Sequence, residues 1–249
     1  METHPPHLHH NSGKKFSHYF YEFLMLFLAV FCGFLAENLR EEHVEHQKEV
    51  EYIKSMIEDL KKDTTNIGEI ATKFEKLSFN FDTVLTKFDE GITAFSQSWS
   101  NNFVRIVKGG YPDYYFTDRT LQQLKNSGGM RLLKNQVVSN ALVDYDDANK
   151  DFIVEDHYLS IIQQQVVDAA FKMWSFKMME QKLKSFEWRK KNVPEAKYWV
   201  INDKTSLENL YNLLSQFRES LNFQKKNMLD LKKEAIDLIN LLSKEYHLD

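Results

Sequence analysis

Apolar and polar positions follow two regimes along this chain. From Phe16 to Ala36, FSHYFYEFLMLFLAVFCGFLA, apolar side chains crowd together almost without interruption. Beyond that they recur at alternating steps of four and three: Ile53, Ile57, Leu60, Thr64, Ile67, Ala71, Phe74, Ser78, Phe81, Leu85, Phe88, Ile92 and Phe95. Ten of these thirteen are large and apolar, which predicts a long amphipathic helix. Traced backwards, the register passes through Val50, His46, His43 and Leu39 to Ala36 and Cys32, so the crowded segment and the first polar helix are expected to be continuous.

Two further runs follow. Val138, Ala141, Tyr145, Ala148, Phe152, Leu159, Ile162, Val166, Ala169, Met173 and Phe176 mark a helix near 136–184, with Glu155 falling on its seam. Leu207, Leu210, Leu214, Phe217, Leu221, Gln224, Met228, Leu231, Ala235, Leu238 and Leu242 mark another near 206–246. Thr205 and Glu208 are spaced as a capping box at its start, each side chain answering the other's orphan amide. Each stripe needs a partner, because isolated helices owe most of their stability to packing.

The expected fold is all-α: an N-terminal transmembrane helix (16–36) continuous with a long stalk (37–97), then an antiparallel coiled-coil-like helical bundle. Ahead of the span lies a His-rich tail (1–15). Between the long helices lie an irregular distal connection with a short helix (98–135) and a loop (185–205). An unbroken stalk reaches about 90 Å at 1.5 Å per residue; the middle helix is expected to run back and the last outward again. Gly68 and Gly91 mark places where the stalk can bend.

The span is long enough only if it begins near Phe16. Phe23–Ala36 alone makes about 21 Å of helix, against a hydrocarbon core of about 30 Å. Starting at Phe16 brings His18 and Glu22 inside. One reading makes Tyr19, Phe20 and Tyr21 an aromatic belt, with Glu22 reaching the headgroups. The other makes His18 and Glu22, one turn apart, a protonatable pair within a membrane assembly. Ala29 and Gly33 have the spacing that permits close helix contact in lipid. Phe34 is too bulky for the third position before a cut after Ala36, which argues for an uncleaved signal anchor. Lys14 and Lys15 before the span, against Arg40 beyond it, predict a cytoplasmic N-terminus and an exported C-terminal domain.

Composition narrows the function classes. Eight glycines and four prolines in 249 residues suit helices, and the single cysteine, Cys32, lies in the span, so no disulfide framework is expected. The net charge of −4 is dispersed, with no basic stripe for nucleic acid. No HExxH, CxxC or Ser-His-Asp pattern is present, so no catalytic residue, cofactor or small-molecule substrate is assigned. Asp144, Asp146, Asp147, Asp151, Glu155 and Asp156 read as the solvated face of a helix. His4, His7, His9 and His10 are weak metal candidates, since imidazoles at this density bind transition metals.

Two aromatic clusters are candidate surfaces. Trp99, Tyr111, Tyr114, Tyr115 and Phe116 crowd the 98–135 connection, as a partner surface if exposed and as a cap for the bundle if buried. Trp188, Arg189, Lys190, Lys191, Tyr198 and Trp199 surround Pro194. If the middle helix returns to the bilayer, this second group lies near the headgroups; otherwise it is a solvated loop. Asp118–Ser127 reads as a short helix stopped by Gly128 and Gly129, with Asn135 starting the next.

EFLMLFLAVFCGFLAENLRE (22–41), followed by YIKSMIEDLKKDTTNI (52–67), resembles the start of an uncharacterised family of membrane-anchored proteins of Gram-negative bacteria. TLQQLKNSGGMRLLKNQVVSNALVDY (120–145) is similar to a second block of such proteins. The resemblance implies an inner-membrane location and carries no catalytic residues. The expectation is a non-enzymatic scaffold or accessory subunit of an envelope assembly, partnered by the lipid bilayer and by itself or other envelope membrane proteins. The alternative is a membrane-anchored sensor or regulator, with His43 and His46 as a pH-sensitive point.

Overall fold

A computed structural model describes residues 13–88, 97–109, 112–173, 175 and 203–248. They form five α-helices: α1 (Gly13–Phe88), α2 (Gln97–Gly109), α3 (Arg119–Asn126), α4 (Gln136–Met173) and α5 (Lys204–Glu245), with a 3-10 turn at Gly129–Leu132. No strand occurs among the described residues. The chain divides into two compact units, Met1–Glu51 and Tyr52–Asp249, and α1 contributes to both.

In the second unit the periodic positions of α1 turn inward: Ile53, Ile57, Leu60, Ile67, Ala71, Phe74, Phe81 and Leu85 are all buried. A parallel row at seven-residue spacing, Met56, Asp63, Ile70, Leu77 and Val84, is buried as well. The buried stripe is therefore wider than a two-helix seam, and α1 packs on several neighbours at once. In α5, Leu210, Leu214, Phe217, Leu221, Gln224, Met228, Leu231, Ala235, Leu238 and Leu242 are buried, matching the sequence periodicity position by position after Leu207. Each fully buried large apolar side chain contributes about 1.5–3 kcal/mol.

The order of contacts fixes the helix directions. Glu75 pairs with Lys225 at 2.9 Å, Asp82 with Arg218 at 3.4 Å, and Phe81 meets Phe217 edge-on at 5.1 Å. Rising numbers on α1 meet falling numbers on α5, so these two are antiparallel. Asn135 donates to Glu245 at 2.8 Å and Gln224 to the Phe152 carbonyl at 3.2 Å, so α4 and α5 are antiparallel too. It follows that α4 runs parallel to this part of α1, which it meets at the Tyr145–Asp63 bond of 3.0 Å. The sequence reading had the middle helix running back and the last outward; both directions are corrected.

What runs back is the connection expected to be irregular and distal. Trp99 Nε1 donates to the Val84 carbonyl at 2.8 Å, Asn66 donates to the Tyr115 carbonyl at 3.2 Å, and the Thr117 amide donates to Asp63 at 2.7 Å. The segment thus travels back along α1 from Val84 to Asp63, beginning as a helix, α2, whose Trp99, Phe103 and Ile106 are buried at helical spacing. Serines and asparagines around those three residues hid the pattern.

Element ends follow local chemistry. α1 is described as far as Phe88; the rest of the expected stalk to residue 97, with Gly91, Ile92 and Phe95, lies outside the described residues. Gly128 follows α3 in the left-handed region, with φ of 69°. Asn135 Oδ1 accepts from the Val137 and Val138 amides and so caps α4. At α5 the cap is Asp203, which accepts from the Ser206 amide at 3.0 Å. The expected capping box at Thr205 sits two residues too late, because Thr205 is already helical.

Candidate functional site

The first candidate surface lies in the first unit. From Phe16 to Leu35 every large apolar side chain except the half-buried Leu24 is exposed. Phe23, Phe27 and Phe31 stack at 6.3 and 5.9 Å along one face. This is one helix near the N-terminus long and apolar enough to cross a membrane. Ala29, Cys32 and Gly33 are exposed, and a Cβ added at Gly33 meets no atom within 4 Å. His18 lies against the Tyr19 ring at 6.0 Å, and among the described residues no hydrogen bond joins it to Glu22. Just past the apolar run, Arg40 and Glu37 form a two-pronged pair at 2.5 and 2.9 Å.

The aromatic connection separates into inner and outer residues. Trp99 is 1 % exposed and stacks on Phe103 at 5.0 Å. Tyr114 is buried edge-on against Phe152 at 5.1 Å, and its hydroxyl donates to Asn149 Oδ1 at 3.0 Å. A partner surface cannot be made from side chains already enclosed, so Trp99 and Tyr114 are interior groups; Tyr115 is 76 % exposed, and Tyr111 lies outside the described residues. Trp188, Arg189 and Trp199, with His4, His7, His9 and His10, lie outside the described residues. The premise for placing the Trp188 loop at the headgroups, a middle helix antiparallel to the stalk, does not hold.

The densest chemistry is a buried polar junction that sequence periodicity passed over. Two aspartates one turn apart on α1, Asp59 and Asp63, are each 1 % exposed. Asp59 receives Arg119 Nη2 at 2.7 Å, the Thr120 amide at 3.2 Å and the Thr120 hydroxyl at 2.5 Å. Lys62 adds an ion pair at 3.7 Å. Asp63 Oδ1 accepts from the Thr117 amide and Oδ2 from the Tyr145 hydroxyl. Burial pushes the Asp63 carboxyl above the usual carboxylate range, more strongly than the Thr117 and Tyr145 bonds pull it down, and nearby Asp59 adds to the rise. Burial likewise raises the Tyr114 and Tyr145 phenols, with charge repulsion adding to it.

A third acid, Asp146, corrects the reading of α4. Expected on a solvated face, it is fully buried and is clasped by Lys125 of α3 and, at 2.5 Å, by Lys150. Burial pushes its carboxyl upward, but the bonds and charges of Lys125 and Lys150 outweigh that and hold it below the usual range. Glu155, by contrast, is exposed, on the rim of a cleft of about 230 Å³ between α4 and α5. Asp151, Asp230 and Glu234 share that rim over a floor of Phe152 and Leu231.

These groups position helices. The acids bind donors of the protein itself, and among the described residues no group of three or more His, Cys, Asp or Glu is arranged to hold a metal. The two polar segments singled out in the sequence, 52–67 and 120–145, meet here through Asp59–Thr120 and Asp63–Tyr145. Compared with protein-family models, curated proteins and solved structures, the chain matches none.

Proposed function

We propose that this chain is a non-enzymatic, single-pass membrane protein whose helical domain serves as a scaffold or accessory subunit of a cell-envelope assembly. The observation that carries the reading is the apolar surface of α1 from Phe16 to Leu35, left exposed among the described residues. Exposed apolar surface on that scale is stable in water only when another phase or molecule covers it, and the length matches a bilayer core. In this reading the chain belongs with the Gram-negative membrane-anchored proteins that it resembles. Lys14 and Lys15 hold the N-terminus in the cytoplasm, and the second unit is periplasmic. The bilayer is one partner; further copies or other envelope proteins are the others.

Purification in mild detergent followed by mass measurement of the intact particle tests the scaffold. A particle well above the 29.5 kDa of one chain is expected; a monodisperse, partnerless monomer would sink it. Orientation has a separate measurement. Protease should reach the second unit in spheroplasts, and digestion only in inside-out vesicles would reverse the topology.

A further inference from the structure

Of the three buried aspartates, Asp63 is the one without a cation. Arg119 and Lys62 sit on Asp59, and Lys125 and Lys150 sit on Asp146. Among the described residues no lysine, arginine or histidine pairs with Asp63, although its side chain is as enclosed as the other two. Ionising a sealed carboxyl with no counter-ion costs several kcal/mol, and Asp59, one turn away, adds repulsion. The neutral acid keeps both attachments. One oxygen still accepts from the Thr117 amide, while the other, now carrying a proton, donates to the Tyr145 oxygen. Tyr145's own proton then turns away from Asp63.

We propose that Asp63 is a proton-operated fastening that joins α1 to the returning segment at Thr117 and to α4 at Tyr145, tight when Asp63 is neutral and looser when it ionises. Among the described residues it faces Asp59 on α1, with Arg119 and Lys62 committed to that neighbour; Tyr114 and Thr117 from the returning segment; and Tyr145 from α4. None supplies a compensating positive charge to Asp63. The raised titration sets the sign. Asp63's contribution is fully present below the ordinary carboxyl value of about 3.9 and is lost as pH rises through its own higher value. Alkalinisation loosens the junction; acidification does not.

The full chain in mild detergent allows two linked measurements. Infrared difference spectra against Asp63→Asn should show a protonated-carboxyl band at about pH 5, where ordinary aspartates are ionised. Hydrogen exchange at the Thr117 amide, corrected for its intrinsic pH dependence, should speed up as that band disappears. The fall in protection should be about tenfold for each pH unit separating Asp63 from the ordinary value. In Asp63→Asn, Thr117 protection should be independent of pH across the same range. If that variant fails to fold, Tyr145→Phe keeps the carboxyl but removes a donor to its ionised form, so the band should persist to higher pH than in the wild type. A band titrating in the ordinary carboxylate range would overturn the proposal. So would Thr117 protection that stays constant while the band is lost.

Discussion

Asp59 shows how much one side chain fastens when its partners are themselves buried. Arg119 is largely exposed and returns to water if the acid is removed, but the amide and hydroxyl of Thr120 are enclosed and do not. Asp59→Ala is expected to cost about 1–3 kcal/mol for each orphaned Thr120 group, read as a loss in chemical denaturation of the detergent-solubilised chain. Asp146 has the opposite pH sign to Asp63. Because Lys125 and Lys150 depress its carboxyl, its contribution is present above the unfolded value of about 3.9 and is lost as pH falls through the lower folded one. Asp146→Asn should therefore be most destabilising near neutrality, with the gap to the wild type closing in strong acid. Little of this chemistry was legible beforehand. Asp59 and Asp63 lie in the charged run EDLKKD, which reads as solvated. Only Asp63's seven-residue spacing from Met56 and Ile70 hinted at burial.

At the scale of elements, periodicity located helices well and their boundaries less well. The α5 stripe emerged almost complete, because a long helix with one apolar face leaves few alternatives. The cap of α5 was misplaced, since Asp203 and Thr205 are both good cap residues and only the backbone decides between them. Asp203→Ala should cost about 1 kcal/mol and Thr205→Ala clearly less, compared by thermal unfolding; equal losses would restore Thr205 as the cap. Gly128 makes a similar point. A Cβ there would touch nothing, so the strain of Gly128→Ala comes only from the positive φ. About 1–2 kcal/mol is expected, visible as faster hydrogen exchange around the turn at Gly129–Leu132. α2 stayed hidden because three buried residues are too short a signal among polar neighbours.

Over the whole molecule, the sequence showed that the long stripes must cover one another, but not in which direction. Amphipathic patterns are nearly indifferent to parallel or antiparallel pairing. The choice was made by the returning segment, which spends its length bringing the chain back along α1 so that α4 can start again beside it. The pairing of α1 with α5 has a direct check. In a chain whose Cys32 is replaced by serine, cysteines at Glu75 and Lys225 should cross-link, because these side chains meet in the fold. A pair at Glu75 and Glu245 should not, since Glu245 lies beside Asn135 at the start of α4. Reversed yields would overturn the antiparallel arrangement.

That arrangement also sets an order of events during synthesis. Phe81 and Phe217 lie against each other in the core, yet well over a hundred residues separate them in the chain. At about 5–20 residues per second, Phe81 is made about seven to thirty seconds before Phe217 is available to cover it. Among the described elements, α2, α3 and α4 are there to shelter it in that interval. A ribosome paused before Lys204 would therefore hold out a bundle in which Phe81 lacks its partner Phe217.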